Sequence, residues 1–453
     1  MNKIYKTDNR EMMLEMPIPS LVVKMAVPSV ISMLVISVYS MSDMFFVSRL
    51  GTTATAAVGI VFSIMTMIQA VGNMLGIGAG SLISRKLGEG KTKDADCVAS
   101  VAFFSSIIGG ILVLIVGIIF KTELMKLLGA TSTVLPYAED FAHYILIASP
   151  IMCSAFVLNI LLRSQGDAKL SMIGLSIGGV LNIILDPIFI FVFKMGIGGA
   201  AVATFISQSV SFVILLLIYL SHKNLARISF SFFIQYVSKL LSKICVGGSS
   251  SLLRQGLVVI ANVLLNISAR SYGDAAIAGI SITSRVFMLV LSIMFGLGQG
   301  FQPVAGFCFG ANRFDRVKKS YYFTIFISTM IQLSFALVLF IFAKEVVQFF
   351  QKDAEVVKVG TFAIRFYSLS LPFLPLSVVT NMLFQVTGQI KKSVFLSSCR
   401  QGIFFLPLIF ILPKFIGLTG IELCQPLSNI FSGIISLPFV LIFFRKYNCK
   451  KNL

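Results

Sequence analysis

The stretch Asn182-Ile-Ile-Leu-Asp-Pro187 places an ionisable side chain, Asp186, inside a long apolar segment. Moving a carboxylate into hydrocarbon costs at least a few kcal/mol, so an acid at such a position indicates a functional site. Asn182 precedes Asp186 by one helical turn, which puts the amide and the carboxylate on one helix face. Pro187 removes a backbone donor and predicts a bend that frees a carbonyl beside the acid. Together these groups predict a site for a proton or a small cation.

The composition is that of an integral membrane protein. Of the 453 residues, 57% are hydrophobic and only 12% are charged, whereas soluble domains carry about 25% charged residues. The net charge of +19 is explained by basic cytoplasmic loops rather than by a nucleic-acid partner. The charged N-terminal stretch has no short apolar core with a cleavage site, so it is not predicted to be a signal peptide.

Cysteines and histidines give no indication of a metal centre or a disulfide framework. The seven cysteines are scattered without a CxxC pair, and the chain has two histidines, too few for a histidine metal site. The P-loop pattern GxxxxGK[ST] does not occur in the sequence, which argues against a fused ATPase. We therefore expect no enzyme activity, no cofactor, and no metal beyond a Na⁺ at the Asp186 site.

About twelve apolar segments are long enough to cross a membrane, because a spanning helix needs about 20 residues. This predicts an all-α membrane protein. Lys and Arg concentrate in the loops after the even-numbered segments, as in Arg85–Lys93 and Arg313–Lys319. By the positive-inside rule, both termini are predicted to be cytoplasmic in a multi-pass protein of the bacterial inner membrane.

The two halves of the chain repeat one another. Glycine and proline landmarks recur 222 positions later: Gly88 and Gly310, Pro150 and Pro372, Gly166 and Gly388. Six spans lie in each copy, and an even number preserves the direction of the chain, so the repeats are parallel. We predict an N-terminal six-helix lobe with the cation site at 1–220, a cytoplasmic linker at 221–242, and a C-terminal six-helix lobe at 243–453.

Several motifs together identify a family. They are Tyr39-Ser-Met-Ser-Asp43, Arg163-Ser-Gln-Gly-Asp167, the Asn182–Pro187 stretch, and Gly298-Gln-Gly-Phe-Gln-Pro303. In combination they resemble the multidrug and toxic compound extrusion (MATE) family, in its prokaryotic DinF/MepA-like branch. The resemblance covers essentially the whole chain, and it implies a two-lobed secondary exporter with a cleft between the lobes.

The resemblance also implies a cation-coupling site with a polar cluster around it. The cation-coupling residues are Asp43, Asn182, Asp186 and Thr204, and the supporting residues are Tyr39 and Asn159. Asp43 also stands out by itself, as the one comparable acid in the apolar body of the first segment. Burial and a like-charged neighbour both disfavour an ionised carboxylate, so a proton or Na⁺ would be exchanged as the cleft opens. The alternatives are that Asp43 pairs with Arg49 at the membrane interface and that Asp186 is structural.

The C-terminal lobe offers no acid at the matching places, which predicts that ion coupling belongs to the N-terminal lobe. Its polar residues either face the cleft or have structural roles, such as bonding helix carbonyls. These residues are Arg254, Gln255, Arg285, Asn381, Gln385 and Arg400. Glu422, which opens the last span, is interpreted as a helix cap near the outer surface.

These observations predict an antiporter that uses H⁺ or Na⁺ to export small organic, cationic lipophilic compounds. The expected partners are small-molecule substrates and membrane lipid, without nucleic acid, and the chain is expected to act as a monomer. One alternative is a lipid-linked saccharide or peptidoglycan-precursor flippase, which would need a strongly basic cleft rather than the acid pair. The other is a non-transporting membrane scaffold or receptor, which would need neither the repeat nor buried acids.

Overall fold

The computed structural model describes residues 2–221 and 225–449, and over these ranges the chain is helical without a strand. The predicted all-α class is confirmed. Residues 222–224 of the predicted linker and 450–453 of the predicted C-terminal lobe lie outside the described residues.

The first described range, residues 2–221, forms eight α-helices. They are α1 (Asn2–Glu15), α2 (Ile18–Ser48), α3 (Thr52–Gly88), α4 (Thr92–Ile119), α5 (Lys121–Leu127), α6 (Leu135–Ser164), α7 (Ala168–Pro187) and α8 (Gly196–Leu220). A π-helical turn, Ile188–Val192, follows α7 directly.

The second described range, residues 225–449, forms nine α-helices. They are α9 (Phe230–Arg270), α10 (Asp274–Gly310), α11 (Phe314–Ile341), α12 (Ala343–Phe350), α13 (Ala354–Ser370), α14 (Leu374–Val386), α15 (Ile390–Ser398), α16 (Phe405–Ile416) and α17 (Leu418–Cys449). A 3₁₀ turn, Leu371–Phe373, joins α13 to α14. A π-helical turn, Cys399–Ile403, follows α15 directly and ends just before α16.

Twelve segments within the described residues are long and apolar enough to cross a membrane, as the sequence predicts. The seventh differs from its predicted start near residue 242, because α9 already begins at Phe230. Tertiary packing explains the difference. The rings of Phe230 and Phe233 lie 5.2 and 5.4 Å from the ring of Phe104 on α4, so this part of the predicted linker is a helix held against the N-terminal half.

The described residues of the linker before α9 are also bound to the N-terminal half. The backbone N–H of Ala226 donates to Gln165 Oε1 at 2.8 Å, and the N–H of Ser229 donates to Ser100 Oγ at 2.9 Å. Buried backbone donors need such partners. The linker therefore follows a defined path across the end of the N-terminal half.

The two halves meet where α2 packs on α10 and α3 packs on α9. Glycines allow the closest approaches: a Cβ on Gly88 would overlap the carbonyl of Phe307, and a Cβ on Gly310 would overlap the carbonyl of Arg85. Both members of one contact lie 222 positions from their counterparts in the other. The repeat in the sequence is therefore a near-symmetric helix crossing in space.

Helix α1 connects the two halves at this same end. Asn9 Nδ2 donates to Asp167 Oδ1 at 2.9 Å, and Arg316 of the second half donates to the carbonyl of Met16 at 2.6 Å. Asp167 lies in the loop between two spans; burial raises the pKa of its carboxyl group, and the Asn9 hydrogen bond opposes that rise. The N-terminal helix thus lies on the face that carries the basic loops.

Two glycines of α9 provide a test of the crossing. A Cβ on Gly248 would overlap the carbonyl of Met74, whereas a Cβ on Gly256 would meet nothing within 4 Å. We expect Gly248→Ala to lower the thermal unfolding midpoint in detergent, because overpacking costs about 1–3 kcal/mol. Gly256→Ala is the matched control and should leave the midpoint unchanged or raise it, since alanine favours a helix by about 1 kcal/mol. Equal midpoints for the two variants would contradict the crossing.

Candidate functional site

The predicted coupling residues of α7 and α8 come together in the interior of the N-terminal half. Asp186 is 0% exposed, and Asn182 and Thr204 are also buried. Asn182 Nδ2 donates to Asp186 Oδ1 at 3.2 Å and to Thr204 Oγ1 at 3.3 Å. The one-turn spacing on α7 gives the first contact, and the packing of α7 on α8 gives the second.

Asp43 reaches the same region from α2. It is 8% exposed, and its charge interacts electrostatically with that of Asp186. Gly179 lets α7 approach α2, because a Cβ there would lie only 2.5 Å from the Cγ1 atom of Val35, two helical turns before Asp43. The ring of Phe46 contacts that of Phe191 edge to face at 6.4 Å. The helix pair therefore holds two carboxylates near each other.

The proposed pairing of Asp43 with Arg49 is not what the structure shows. The Arg49 guanidinium lies over the Phe45 ring, 4.7 Å from its centroid, and none of the ion pairs among the described residues involves Asp43. Asp43 is buried rather than interfacial. This leaves the acid without a basic partner.

Three carboxylate and amide oxygen atoms of this region are buried without a hydrogen-bond partner among the described residues: Asp43 Oδ1, Asn182 Oδ1 and Asp186 Oδ2. Unsatisfied buried oxygens are costly, and two ionised carboxylates together are more so. Hard cations take oxygen ligands of this kind, and protonation removes the same charge. The donor set therefore fits a Na⁺ or a proton as a transported ion.

The backbone changes its winding immediately after Asp186. Helix α7 ends at Pro187 and continues as the π-helical turn Ile188–Val192. Proline has no N–H to donate to the preceding turn, and π-turns often occur at functional sites. Gly199 on α8 lies against this turn, because a Cβ there would be 2.7 Å from the Phe189 carbonyl. The bend predicted at Pro187 thus coincides with a wider helical turn.

Asn159, predicted as part of the polar cluster, has other partners in the structure. Its Nδ2 donates to the carbonyl of Ser171 at 2.9 Å, and Ser171 Oγ donates back to the carbonyl of Asn159 at 3.0 Å. In the second half, Asn381 and Ser393 make the same two bonds at 2.7 and 3.4 Å. Each asparagine joins a helix to the next, 222 positions apart. The pair has the geometry of a structural clamp.

The remaining polar residues of the second half are distributed over three places. Gln385 Nε2 donates to Ser250 Oγ at 2.9 Å, and its Oε1 accepts from Gln302 at 2.9 Å. Arg285 is exposed and contacts the Met44 sulfur at 3.1 Å. No hydrogen bond of the Gln255 side chain is found in the part of the chain that the structure describes. Arg254 and Arg400 lie around one aromatic ring, that of Phe295.

The interpretation of Glu422 as a surface cap is wrong. Helix α17 begins at Leu418, so Glu422 lies in its second turn, where its side chain cannot cap the first N–H groups. It is 9% exposed. The helix begins one turn before Glu422, so the carboxylate lies beyond the positions that cap a helix.

Two residues with a bearing on function were not predicted from the sequence. Arg163, which begins the motif Arg163-Ser-Gln-Gly-Asp167, is buried and donates to Gln299 Oε1 of the second half at 2.7 Å. Ser207, one turn after Thr204, is buried with an unpartnered hydroxyl. The spacing of Ser207 from Thr204 places both on one helix face, so the sequence could have predicted Ser207. The contact of Arg163 with Gln299 of the other half could not be predicted from local sequence.

Twelve spans, a parallel internal repeat and acids buried at helix-helix contacts define the architecture of secondary membrane transporters. The MatE family model matches the chain twice, at residues 28–188 and 250–411. The chain belongs to the MatE family. The two matches are offset by the same distance as the glycine landmarks, in agreement with the repeat.

Curated relatives and solved structures resemble the chain over most of its length. The Multidrug export protein MepA of Staphylococcus saprophyticus is 28% identical over 397 residues, 87% of each chain. That of Staphylococcus aureus is 26% identical over 406 residues, 89% of each. An outward-facing multidrug resistance MATE family transporter has a TM-score of 0.91 at 27% identity, covering 96% of this chain and 98% of that one. A MATE structure in the bent conformation has a TM-score of 0.90 at 26% identity, covering 98% and 99%.

The two asparagine clamps give a prediction that separates scaffold from site. Asn159→Ala and Asn381→Ala should each lower the thermal unfolding midpoint, because each leaves buried groups unpaired at about 1–3 kcal/mol. Neither should change the dependence of transport on H⁺ or Na⁺. Asn182→Ala is the contrasting variant, since its amide lies between Asp186 and Thr204 and its loss should alter ion dependence. If Asn159→Ala lost ion dependence while Asn381→Ala kept it, Asn159 would belong to the polar cluster around the acids and not to the scaffold.

Proposed function

We propose that this protein is an ion-coupled multidrug exporter that exchanges inward H⁺ or Na⁺ for small organic cations leaving the cytoplasm. The observation that carries the proposal is the pair Asp43 and Asp186, two buried carboxylates without a basic partner. Inward flow of a cation through such a site supplies the free energy for export. Family membership and the MepA relatives support the multidrug class of substrate.

The coupling ion acts by removing negative charge from the N-terminal site. With the site empty of ions, Asp43 and Asp186 repel one another and attract a cationic substrate. Loading a proton or Na⁺ satisfies the unpartnered oxygens and removes that attraction. The substrate and the ion therefore compete, and alternation between the two faces of the membrane makes the competition an exchange.

The location of the protein is part of the proposal. The basic loops after the even-numbered spans support a cell-membrane protein whose two termini are cytoplasmic. Helix α1 lies at that basic end, through its contacts with Asp167 and with Arg316. Export from the cytoplasm then means movement from this end towards the opposite one.

The flippase alternative is less well supported, because it has no use for an acid pair in the N-terminal half. It would draw support from a basic cleft, and two buried arginines do lie in the C-terminal half. Efflux of a fluorescent organic cation from cells, measured with and without an uncoupler, separates the two functions. Uncoupler-sensitive efflux supports the exporter, and its absence together with movement of a lipid-linked precursor would support the flippase.

Charge removal at the site is the direct test. We expect Asp43→Asn and Asp186→Asn each to abolish efflux at near-normal membrane abundance, because each replacement removes one of two buried like charges and keeps a polar side chain of similar size. Glu422→Gln is the matched control, an equally conservative change at a buried acid of the C-terminal half, and it should retain efflux. Full efflux by either aspartate variant would overturn the assignment of these acids as the coupling site. The assignment would also be overturned if Gln255→Ala or Gln385→Ala lost ion dependence while Asp43→Asn kept it.

The turn after Asp186 gives a second test of the mechanism. A neutral acid can donate a hydrogen bond to a carbonyl that a carboxylate must avoid, so loading Asp186 should change the bend at Pro187. Pro187→Ala should restore a backbone N–H donor to the helix. In detergent, the variant should bind substrate with nearly the same affinity, but that affinity should depend less on pH. Pro150→Ala on α6 serves as the control for loss of a helix proline. An unchanged pH effect in Pro187→Ala would leave direct competition at the two acids as the coupling mechanism.

A further inference from the structure

Two arginines lie around one aromatic ring in the interior of the C-terminal half. The guanidinium carbon of Arg254 lies 5.2 Å from the centroid of the Phe295 ring, and that of Arg400 lies 5.8 Å from it. Arg400 is 8% exposed, and Arg254 is half-buried. The two positive charges repel each other electrostatically. They come from α9 and from the π-helical turn Cys399–Ile403, while Phe295 belongs to α10.

Neither guanidinium finds an anionic partner among the described residues. The side chain of Arg254 makes one long contact, to Ser251 Oγ at 3.5 Å. For Arg400, the ring of Phe295 and the nearby Tyr367 are the only partners found in the described ranges. A guanidinium offers five donors, so most of the donors of this pair are unused. The structural role of bonding helix carbonyls, one of the two sequence interpretations, is not observed.

Arg254 is partly exposed, and Arg400 keeps a small exposed fraction. The buried polar atoms without a partner among the described residues include no nitrogen of Arg254 or Arg400. Two adjacent cations in such a place are costly unless an anion joins them. The backbone of Arg400 is held to α17, because its carbonyl accepts a hydrogen bond from the hydroxyl of Ser428. The pair is therefore a cationic site without a counter-ion among the described residues.

The place in the N-terminal half that corresponds to Arg400 carries no basic side chain. The positions corresponding to Arg400 by the repeat are the glycines Gly178 and Gly179. Gly179 lines a small cavity of about 20 Å³ together with Tyr39, and Asp43 lies one turn beyond Tyr39. Two copies of one fold thus carry carboxylates in the first half and guanidinium groups in the second. The arginines are an addition to the repeated scaffold rather than a part of it.

We infer that Arg254 and Arg400 form a subsite for the carboxylate of a substrate, with Phe295 as its aromatic floor. A planar guanidinium matches a carboxylate with two parallel hydrogen bonds, and the ring accepts the flat, apolar part of the same molecule. The inference rests on the proposed function and narrows its substrate class to amphipathic compounds that carry both a cationic group and a carboxylate. The cationic group is held by the Asp43 and Asp186 half, and the carboxylate by the arginine half.

Rhodamine B and its ethyl ester provide a matched pair of probes, since they differ in whether the carboxylate is free. Affinities are measured by fluorescence anisotropy on the purified protein in lipid nanodiscs. Arg254→Gln and Arg400→Gln should each weaken binding of rhodamine B about tenfold or more, which corresponds to about 1.4 kcal/mol. Binding of the ester should change little, and this also reports that each variant is folded. Arg285→Gln is the control for removing a charge from the second half outside the pair.

Each result decides the inference. Selective loss for rhodamine B, with partial recovery in Arg400→Lys, supports the subsite, because lysine keeps the charge without the planar fork. Equal losses of affinity for both probes would show that the arginines act on the fold. Unchanged affinity for rhodamine B in the variants, or no binding of rhodamine B by the wild type, would show that the arginines do not bind a carboxylate. Each of these three results overturns the inference. A wild type that binds rhodamine B with this selectivity but shows no efflux that depends on either an H⁺ or a Na⁺ gradient would overturn the proposed function and leave the subsite standing.

Discussion

Repulsion between two buried carboxylates is the interaction on which the proposed mechanism depends. Asp43 and Asp186 come from helices that are far apart in the sequence, and no base among the described residues neutralises them. A protein interior stabilises such a pair only when a proton or a cation joins it. The two charge states of this site therefore favour different surroundings, and a membrane transporter needs two states of this kind to alternate.

The internal repeat provides the frame in which that difference acts. Gly88 and Gly310 bring the halves together at equivalent crossings, and Asn159 and Asn381 clamp equivalent helix pairs. These contacts involve backbone groups and short side chains, and they agree in both copies. The polar interiors do not agree, because the first half carries acids where the second carries none. In the proposed mechanism, a symmetric frame with asymmetric interiors lets the two halves rock against each other while the coupling chemistry stays in one of them.

Much of this arrangement could be predicted from the sequence because its signals are local. Apolar segment lengths give the twelve spans, glycine spacing gives the repeat, and one helical turn places Asn182 beside Asp186. What could not be predicted depends on tertiary contacts. Arg163 looks like a loop residue until Gln299 of the other half meets it, and α9 starts at Phe230 because Phe104 supports that turn. Asn159 was placed with the acids by family resemblance, yet the nearest acceptor for its amide is a backbone carbonyl of the next helix.

The polarity of the two halves also bears on how a substrate can be released. A compound held by charge at one end only loses its whole attraction when the ion loads the N-terminal acids. A compound held at both ends loses one attraction and keeps the other, so it can leave only when the halves also separate. In the proposed mechanism, release of such a compound requires ion loading and opening of the halves together, so neither step alone dissipates the ion gradient. Charges of opposite sign in the two halves would in this way couple chemistry in one half to the movement of both.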